Sequence, residues 1–183
     1  MDKQTLRDLY LKKRQELSPV DIKVNSGKAF EHLSNSGLFD HVNNISCYIP
    51  INNEVETKTL IDFLINRGIN VYIPKHLNGF WTFSKFKSWN ELEKGYKDIL
   101  EPIEQTEVNV DFDLSIFPGV AFDRNGVRLG YGLGVFDRLL SNSTAVKVGL
   151  CFDFQIIQAL PWEKHDLVMD YIVSEAEIVK IKK

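Results

Sequence analysis

Five short apolar runs constrain this chain more than any other feature. They are ISCYIPI (45–51), NVYIP (70–74), DLSIFPGVAF (113–122), VKVGLCF (146–152) and MDYIVSE (169–175), all rich in β-branched or aromatic residues. Runs of this length and character read as buried strands. Amphipathic stretches lie between them. Residues 3–17 place Leu6, Leu9, Tyr10 and Leu17 on one side of a helix. A second helix starts at Ser18-Pro19, where Ser18 caps, Pro19 fits the first helical position and Asp21 completes a capping box; it ends near Asn35-Ser36-Gly37. A third carries Leu60, Ile61, Leu64 and Ile65 at helical spacing and stops at Arg67-Gly68, and Phe136, Leu139 and Leu140 form the face of a fourth. Residues 76–107 are less regular and read as a hairpin or an excursion. Strands alternating with helices imply a mostly parallel sheet covered on both faces. The expected fold is α/β: a single domain over residues 1–183, a three-layer sandwich with a mostly parallel central sheet flanked by helices.

Length supports one domain, since 183 residues bury a sizeable core. A formal charge of −3 argues against a general nucleic-acid binder. No apolar run approaches the ~18 residues that suggest a membrane span, and MDKQTLRDLYLKKRQEL has no apolar stretch of the kind a signal peptide carries. Cys47 and Cys151 each sit inside an apolar run and are expected to be buried free thiols. A cytoplasmic protein, taken as a monomer, with no membrane or nucleic-acid partner is the expectation.

The segment RLGYGLGVFDR (128–138) sets glycines at 130, 132 and 134 between Arg128 and Arg138. It follows a strand and leads into a helix, a layout that turns loop N–H groups toward an anion such as phosphate. Asp137 beside a phosphate makes chemical sense with a cation such as Mg²⁺ between them. The spacing is neither the GxxxxGK[ST] of a P-loop nor the GxGxxG of a dinucleotide fingerprint. A phosphate site and a loop whose glycines merely serve turns both remain open on spacing alone.

The longer stretch PGVAFDRNGVRLGYGLGVFDR (118–138) resembles the signature of the 5-formyltetrahydrofolate cyclo-ligase family, also called 5,10-methenyltetrahydrofolate synthetase. KQTLR, YIPINNEVET, FSKFKSWNELEKGYKDILEP and LPWEKHDLVMDYIVSE follow the order that family shows, so the resemblance spans essentially the whole chain. It implies an enzyme, a C–N bond-forming ligase, that uses ATP and Mg²⁺ to convert 5-formyltetrahydrofolate to 5,10-methenyltetrahydrofolate through a phosphorylated formyl group. The implied fold is a three-layer α/β sandwich.

Carried onto this sequence, the resemblance assigns ATP contacts to the basic N-terminal helix at Lys3, Gln4, Thr5, Leu6 and Arg7. In the glycine-rich segment it assigns them to Arg128, Leu129, Gly130, Tyr131, Gly132, Leu133, Gly134, Val135 and Phe136. Lys3 and Arg7 share a helix face, with Arg14 further along it, so a solvated basic face is the competing reading of these cations. Folate contacts map to Ile49 and Glu54 and to Tyr131, Gly132, Leu133, Gly134 and Val135. A carboxylate suits the N–H donors of the pterin, while favourable charge at a helix start is the other account of Glu54 and the full account of Glu56. Trp81 is a candidate wall for the pterin or its benzoyl group. Asp137 and Asp170 match Mg²⁺ ligands, and Arg128 with Asp137 are the expected catalytic pair. His165 and Asp166 share the loop before Asp170; an acid–base role for His165 is set against a structural one, which is preferred. His32, His41 and His76 are read as local structural residues.

The chain departs from the usual signature at Val135-Phe136, where two tyrosines are common, and at Leu133. A non-catalytic nucleotide or sugar-phosphate sensor of the same fold is the alternative function; retention of Lys3, Arg7, Arg128, Asp137 and Asp170 together argues against it. An oxidoreductase with a dinucleotide site is disfavoured by the glycine spacing.

Overall fold

The computed structural model describes residues 1–106, 110–163 and 166–182. Local signals do most to set the first two helices. Helix α1 (Lys3–Gln15) is capped by Asp2, whose carboxylate accepts the N–H groups of Gln4 and Thr5, and it ends on Lys12, Lys13 and Arg14, which suit the negative end of the helix dipole. Leu6 is buried and Tyr10 partly so, but Leu9 is 38 % exposed and lies off the packed face. Helix α2 (Pro19–Ser34) starts on the expected capping box, with Ser18 and Asp21 bonding each other reciprocally.

Strand β1 (Asn44–Ser46) is shorter than its apolar run, because the chain leaves the sheet at Cys47. After α3 (Lys58–Asn66) come β2 (Asn70–Leu77) and β3 (Phe80–Lys85), an antiparallel hairpin turning at Asn78-Gly79. A small ribbon follows, β4 (Leu92–Lys94) with β5 (Leu100–Pro102). The expected single strand over 113–122 is two: β6 (Leu114–Phe117) and β7 (Ala121–Asp123), in different sheets. The break falls at Pro118-Gly119, where the Phe122 ring lies 2.5 Å from any Cβ that residue 119 could carry. Then come β8 (Arg128–Leu129), α4 (Val135–Leu139), β9 (Val146–Leu150), β10 (Ile156–Ile157), β11 (Tyr171–Val173) and β12 (Ile178–Lys180).

The main sheet has seven strands in the order β12-β11-β9-β6-β1-β2-β3. The five inner strands are parallel, and β3 and β12 close the two edges antiparallel. Helices α2 and α3 pack on this sheet and on each other. A second, three-stranded sheet, β10-β7-β8, separates α1 from the main core. Alternation along β7 makes that arrangement: Ala121 joins Leu6, Leu129 and Leu160 under α1, while its neighbour Phe122 turns into the main core. The fold is therefore the expected α/β class, with a small sheet as well as α1 in the third layer. Cys47 and Cys151 are buried free thiols. Among the described residues no helix is long and apolar enough to cross a membrane.

Candidate active site

The carboxyl ends of parallel strands are where an open α/β sheet places its ligands, and the main cleft opens there. It encloses about 970 Å³. The segment after β1 supplies Ile49 and Glu54, β3 supplies Trp81, the glycine-rich segment forms one wall, and α1 contributes Lys3 and Arg7. Glu163 and Asp166 close the end beside Lys3.

The glycine-rich segment both bends and admits close neighbours. Gly132 has φ 91° and Gly134, which caps α4, has φ 58°, so the loop turns at two positions that favour glycine. A Cβ on Gly130 would sit 2.9 Å from an Arg128 guanidinium nitrogen. Arg7 lies across the loop, its Nε donating to the Gly130 carbonyl at 2.9 Å. Lys3 Nζ donates to Glu163 Oε1 at 2.8 Å and Asp166 Oδ2 at 2.9 Å. Burial works against the Lys3 ammonium, and its two carboxylate partners outweigh that and raise its pKa. Of residues 3–7, only Lys3 and Arg7 line the cleft. Gln4 bonds Asp8, Thr5 serves the helix cap, and Leu6 packs into the apolar cluster under α1.

Arg128 and Asp137 are joined: Nη2 donates to Oδ2 at 2.7 Å, and Nη1 donates to the Pro118 carbonyl at 3.1 Å. The Arg128 side chain is 6 % exposed and that of Asp137 is 26 % exposed. Asp170 does not join them. It lies at the start of β11, at the amino ends of the parallel strands, where its carboxylate accepts the Lys147 N–H at 2.8 Å beside a separate small depression. The structure does not bring Asp137 and Asp170 together: the acids of that stretch that line the cleft are Glu163 and Asp166, seven and four residues earlier. His165 lies outside the described residues.

Glu54 is 4 % exposed, and it does not start a helix, since α3 begins at Lys58. Its Oε2 accepts the Ile51 N–H at 2.9 Å and its Oε1 the Tyr131 hydroxyl at 3.0 Å. Burial pushes its carboxyl up to about 7, against the opposing pull of Arg14 and of these hydrogen bonds. Arg14 is not a phosphate clamp either. It is 1 % exposed and spends its donors inside the protein.

On the opposite wall Trp81 packs edge-on against His76 at 5.2 Å and Tyr96 at 5.7 Å, so His76 belongs to an aromatic cluster. Tyr96, Lys97 and Leu100, from the excursion whose role spacing left blank, border the cleft beside it. Glu101 holds this rim by accepting the His76 and Tyr96 N–H groups at 3.0 and 3.1 Å. Phe83 and Phe86 are core residues, and Phe80 is exposed. Phe136 sits between Phe83 and Phe117, with centroids 6.3 and 5.5 Å away, and also lines the cleft.

Cations, a turning glycine loop and a buried acid around one cleft make a site of the kind that α/β enzymes use for anionic small molecules. The comparison with known proteins sharpens that class. The chain belongs to the 5-formyltetrahydrofolate cyclo-ligase family, whose sequence model matches residues 1–175. It is 32 % identical over 183 residues to the 5-formyltetrahydrofolate cyclo-ligase of Mycoplasma genitalium, covering 94 % of this chain and 98 % of that one. With the Haemophilus influenzae protein of the same name it shares 28 % identity over 185 residues, covering 94 % and 97 %. The solution structure of Aquifex aeolicus 5,10-methenyltetrahydrofolate synthetase superposes with a TM-score of 0.89 at 32 % identity, covering 100 % of this chain and 94 % of that one. A 5,10-methenyltetrahydrofolate synthetase from Mycoplasma pneumoniae gives 0.76 at 26 % identity, covering 96 % and 99 %. The chain is accordingly an enzyme of the ligase class.

Proposed function

We propose that the protein converts 5-formyltetrahydrofolate and ATP to 5,10-methenyltetrahydrofolate, ADP and phosphate. The formyl oxygen attacks the γ-phosphorus, the bond to the bridging oxygen breaks, and ADP departs. N10 then attacks the formyl carbon, and the carbon–oxygen bond breaks as phosphate leaves. The N10 proton passes to solvent. Phosphoryl transfer of this kind asks a protein for positioning and charge neutralisation rather than for a nucleophile.

One observation carries the reading. A single cleft joins a cation-lined end, with Lys3, Arg7 and the glycine loop, to a buried acceptor, Glu54, facing an aromatic wall. ATP phosphates suit the first end. The N–H donors of the pterin suit Glu54, with Trp81 beside the ring system. Among the described residues no three His, Cys, Asp or Glu side chains gather into a cage, and Mg²⁺ does not need one, since it takes one or two carboxylates along with substrate phosphates. Asp137, Glu163 and Asp166 are hard-oxygen side chains at the cleft of the kind that would hold it. When bound, Mg²⁺ supplies neutralisation of phosphate charge.

Incubation with 5-formyltetrahydrofolate, ATP and Mg²⁺ is expected to produce the near-ultraviolet absorbance of the methenyl product in step with ADP. No absorbance change with ATP intact, at high enzyme and long incubation, refutes the proposal.

A further inference from the structure

A closely connected buried polar cluster lies beneath and beside the cleft. At its centre is Arg14. Its Nε donates to the Asn52 carbonyl at 2.7 Å, Nη1 to the Gly119 carbonyl at 3.0 Å, and Nη2 to the Tyr131 hydroxyl. That hydroxyl donates onward to Glu54 Oε1 at 3.0 Å, and Arg14 Nη1 itself lies 4.0 Å from the same oxygen. Reaching a phosphate would require the guanidinium to give up these bonds.

An arginine is a costly way to fill a buried site. Well-packed apolar side chains commonly hold such positions at least as stably, because they spare the desolvation of charge. What Arg14 adds over a side chain such as methionine is a positive charge one hydroxyl away from a carboxylate. Glu54 and Tyr131 both line the cleft, so the charge acts on the part of the site that faces the ligand.

We propose that Arg14 is a positioning residue for the folate: through the Tyr131 hydroxyl it keeps Glu54 ionised and aimed into the cleft, ready to accept the N–H donors of the pterin. This rests on the folate reading of Glu54 given above. The groups facing Glu54 are Arg14 from α1, Tyr131 from the glycine loop, Arg128 from β8 and Tyr48 from the segment after β1. Arg14 and Arg128 favour the carboxylate, whereas burial opposes it and brings the carboxyl up to about 7. Folate affinity should therefore weaken as pH falls through that range. Without the Arg14 charge the weakening should begin at higher pH, because the protonated acid turns an O–H toward the donors of the pterin.

The test uses the whole protein and two readouts. Carbon NMR of glutamate-labelled protein without ligand follows the Glu54 carboxyl, identified by its absence in Glu54→Gln. Its midpoint should rise by about one unit in Arg14→Gln, equivalent to about a tenfold change in ionisation ratio, and should rise less in Tyr131→Phe, which removes the bridge and keeps the charge. Binding of 5-formyltetrahydrofolate without ATP, followed by tryptophan fluorescence, should show the same ordering of pH midpoints, with Arg14→Lys recovering part of the shift. If Arg14→Gln does not fold, Tyr131→Phe and Arg14→Lys carry the comparison. Unchanged midpoints, or a loss of affinity equal at every pH, overturn the role of Arg14 and leave the proposed reaction standing. A wild-type protein that binds no 5-formyltetrahydrofolate at any pH overturns both.

Discussion

Replacing Asp137 by asparagine tests the pairing that the cleft wall depends on. Arg128 is the buried partner, with a side chain 6 % exposed, and its Nε is buried without a hydrogen-bond partner among the described residues. Its other contacts are the Pro118 carbonyl at 3.1 Å and the Phe117 ring at 5.5 Å. Asp137 is thus the group that balances a nearly buried cation. Asparagine keeps an acceptor in place but removes the charge. The bond to the guanidinium stays charge-assisted on the donor side, so what is lost is the pairing of two charges, about 1–2 kcal/mol, between the ~0–1 of an exposed pair and the ~3–5 of a buried one. Asp137 is only partly buried, which keeps the loss below the full cost of breaking a buried ion pair. For a chain of this length, 1 kcal/mol moves Tm by about 2–4 °C, so ligand-free Asp137→Asn should unfold about 2–8 °C below wild type. A double-mutant cycle with Arg128→Met, read by circular dichroism, should return a coupling of about 1–2 kcal/mol. Formation of methenyl product should fall steeply in the same variant. A Tm equal to wild type together with zero coupling would refute the reasoning, leaving Phe117 and Pro118 as what holds Arg128.

Burial raises the Glu54 carboxyl from about 4.5 to about 7, so the folded protein binds the extra proton between those values, and stability falls as pH rises through that window. The stability of wild type relative to Glu54→Gln should fall by about 2–3 kcal/mol from pH 5 to pH 8 in urea titrations; a difference constant with pH contradicts it. Gly132→Ala forces a side chain into φ 91° and should cost about 1–3 kcal/mol in chemical denaturation through backbone strain, since its Cβ meets Arg7 only at ordinary contact distance; an unchanged denaturation midpoint contradicts it. Asp170→Asn should lower Tm through the Lys147 N–H it satisfies yet leave KM for ATP and its Mg²⁺ dependence as in wild type. A lost Mg²⁺ response there would return Asp170 to the cleft.

Local chemistry was legible in the sequence, and long-range packing was not. Ser18, Pro19 and Asp21 announce α2 because a capping box needs nothing beyond four neighbouring residues. The apolar run over 113–122 reads as one strand because its apolar character does not change where β6 leaves off and β7 joins a different sheet with β8 and β10. The glycine-rich segment is identifiable because the left-handed turns at Gly132 and Gly134 favour glycine on local backbone grounds. Asp166 and Asp170 are indistinguishable by spacing; strand register decides between them, fixing Asp170 against β9. Arg14 continues the basic stripe of Lys3 and Arg7, and its burial depends on residues 52, 119 and 131, which lie far along the chain.

The tie between Lys3 and the pair Glu163 and Asp166 has a consequence for the order of assembly. The two sides of that contact are 160 and 163 positions apart. At about 5–20 residues per second, a ribosome takes roughly 10–30 s to make the intervening chain. Throughout that interval α1, a 13-residue helix of marginal stability on its own, lacks Leu160, one of the residues its apolar face packs against. The strands β1, β2, β6 and β9 are all made before the Lys3 end of the cleft can close, whereas β11 and β12 emerge only after Glu163 and Asp166. That end of the cleft takes shape only when the earliest-made helix meets a loop made some 160 residues later.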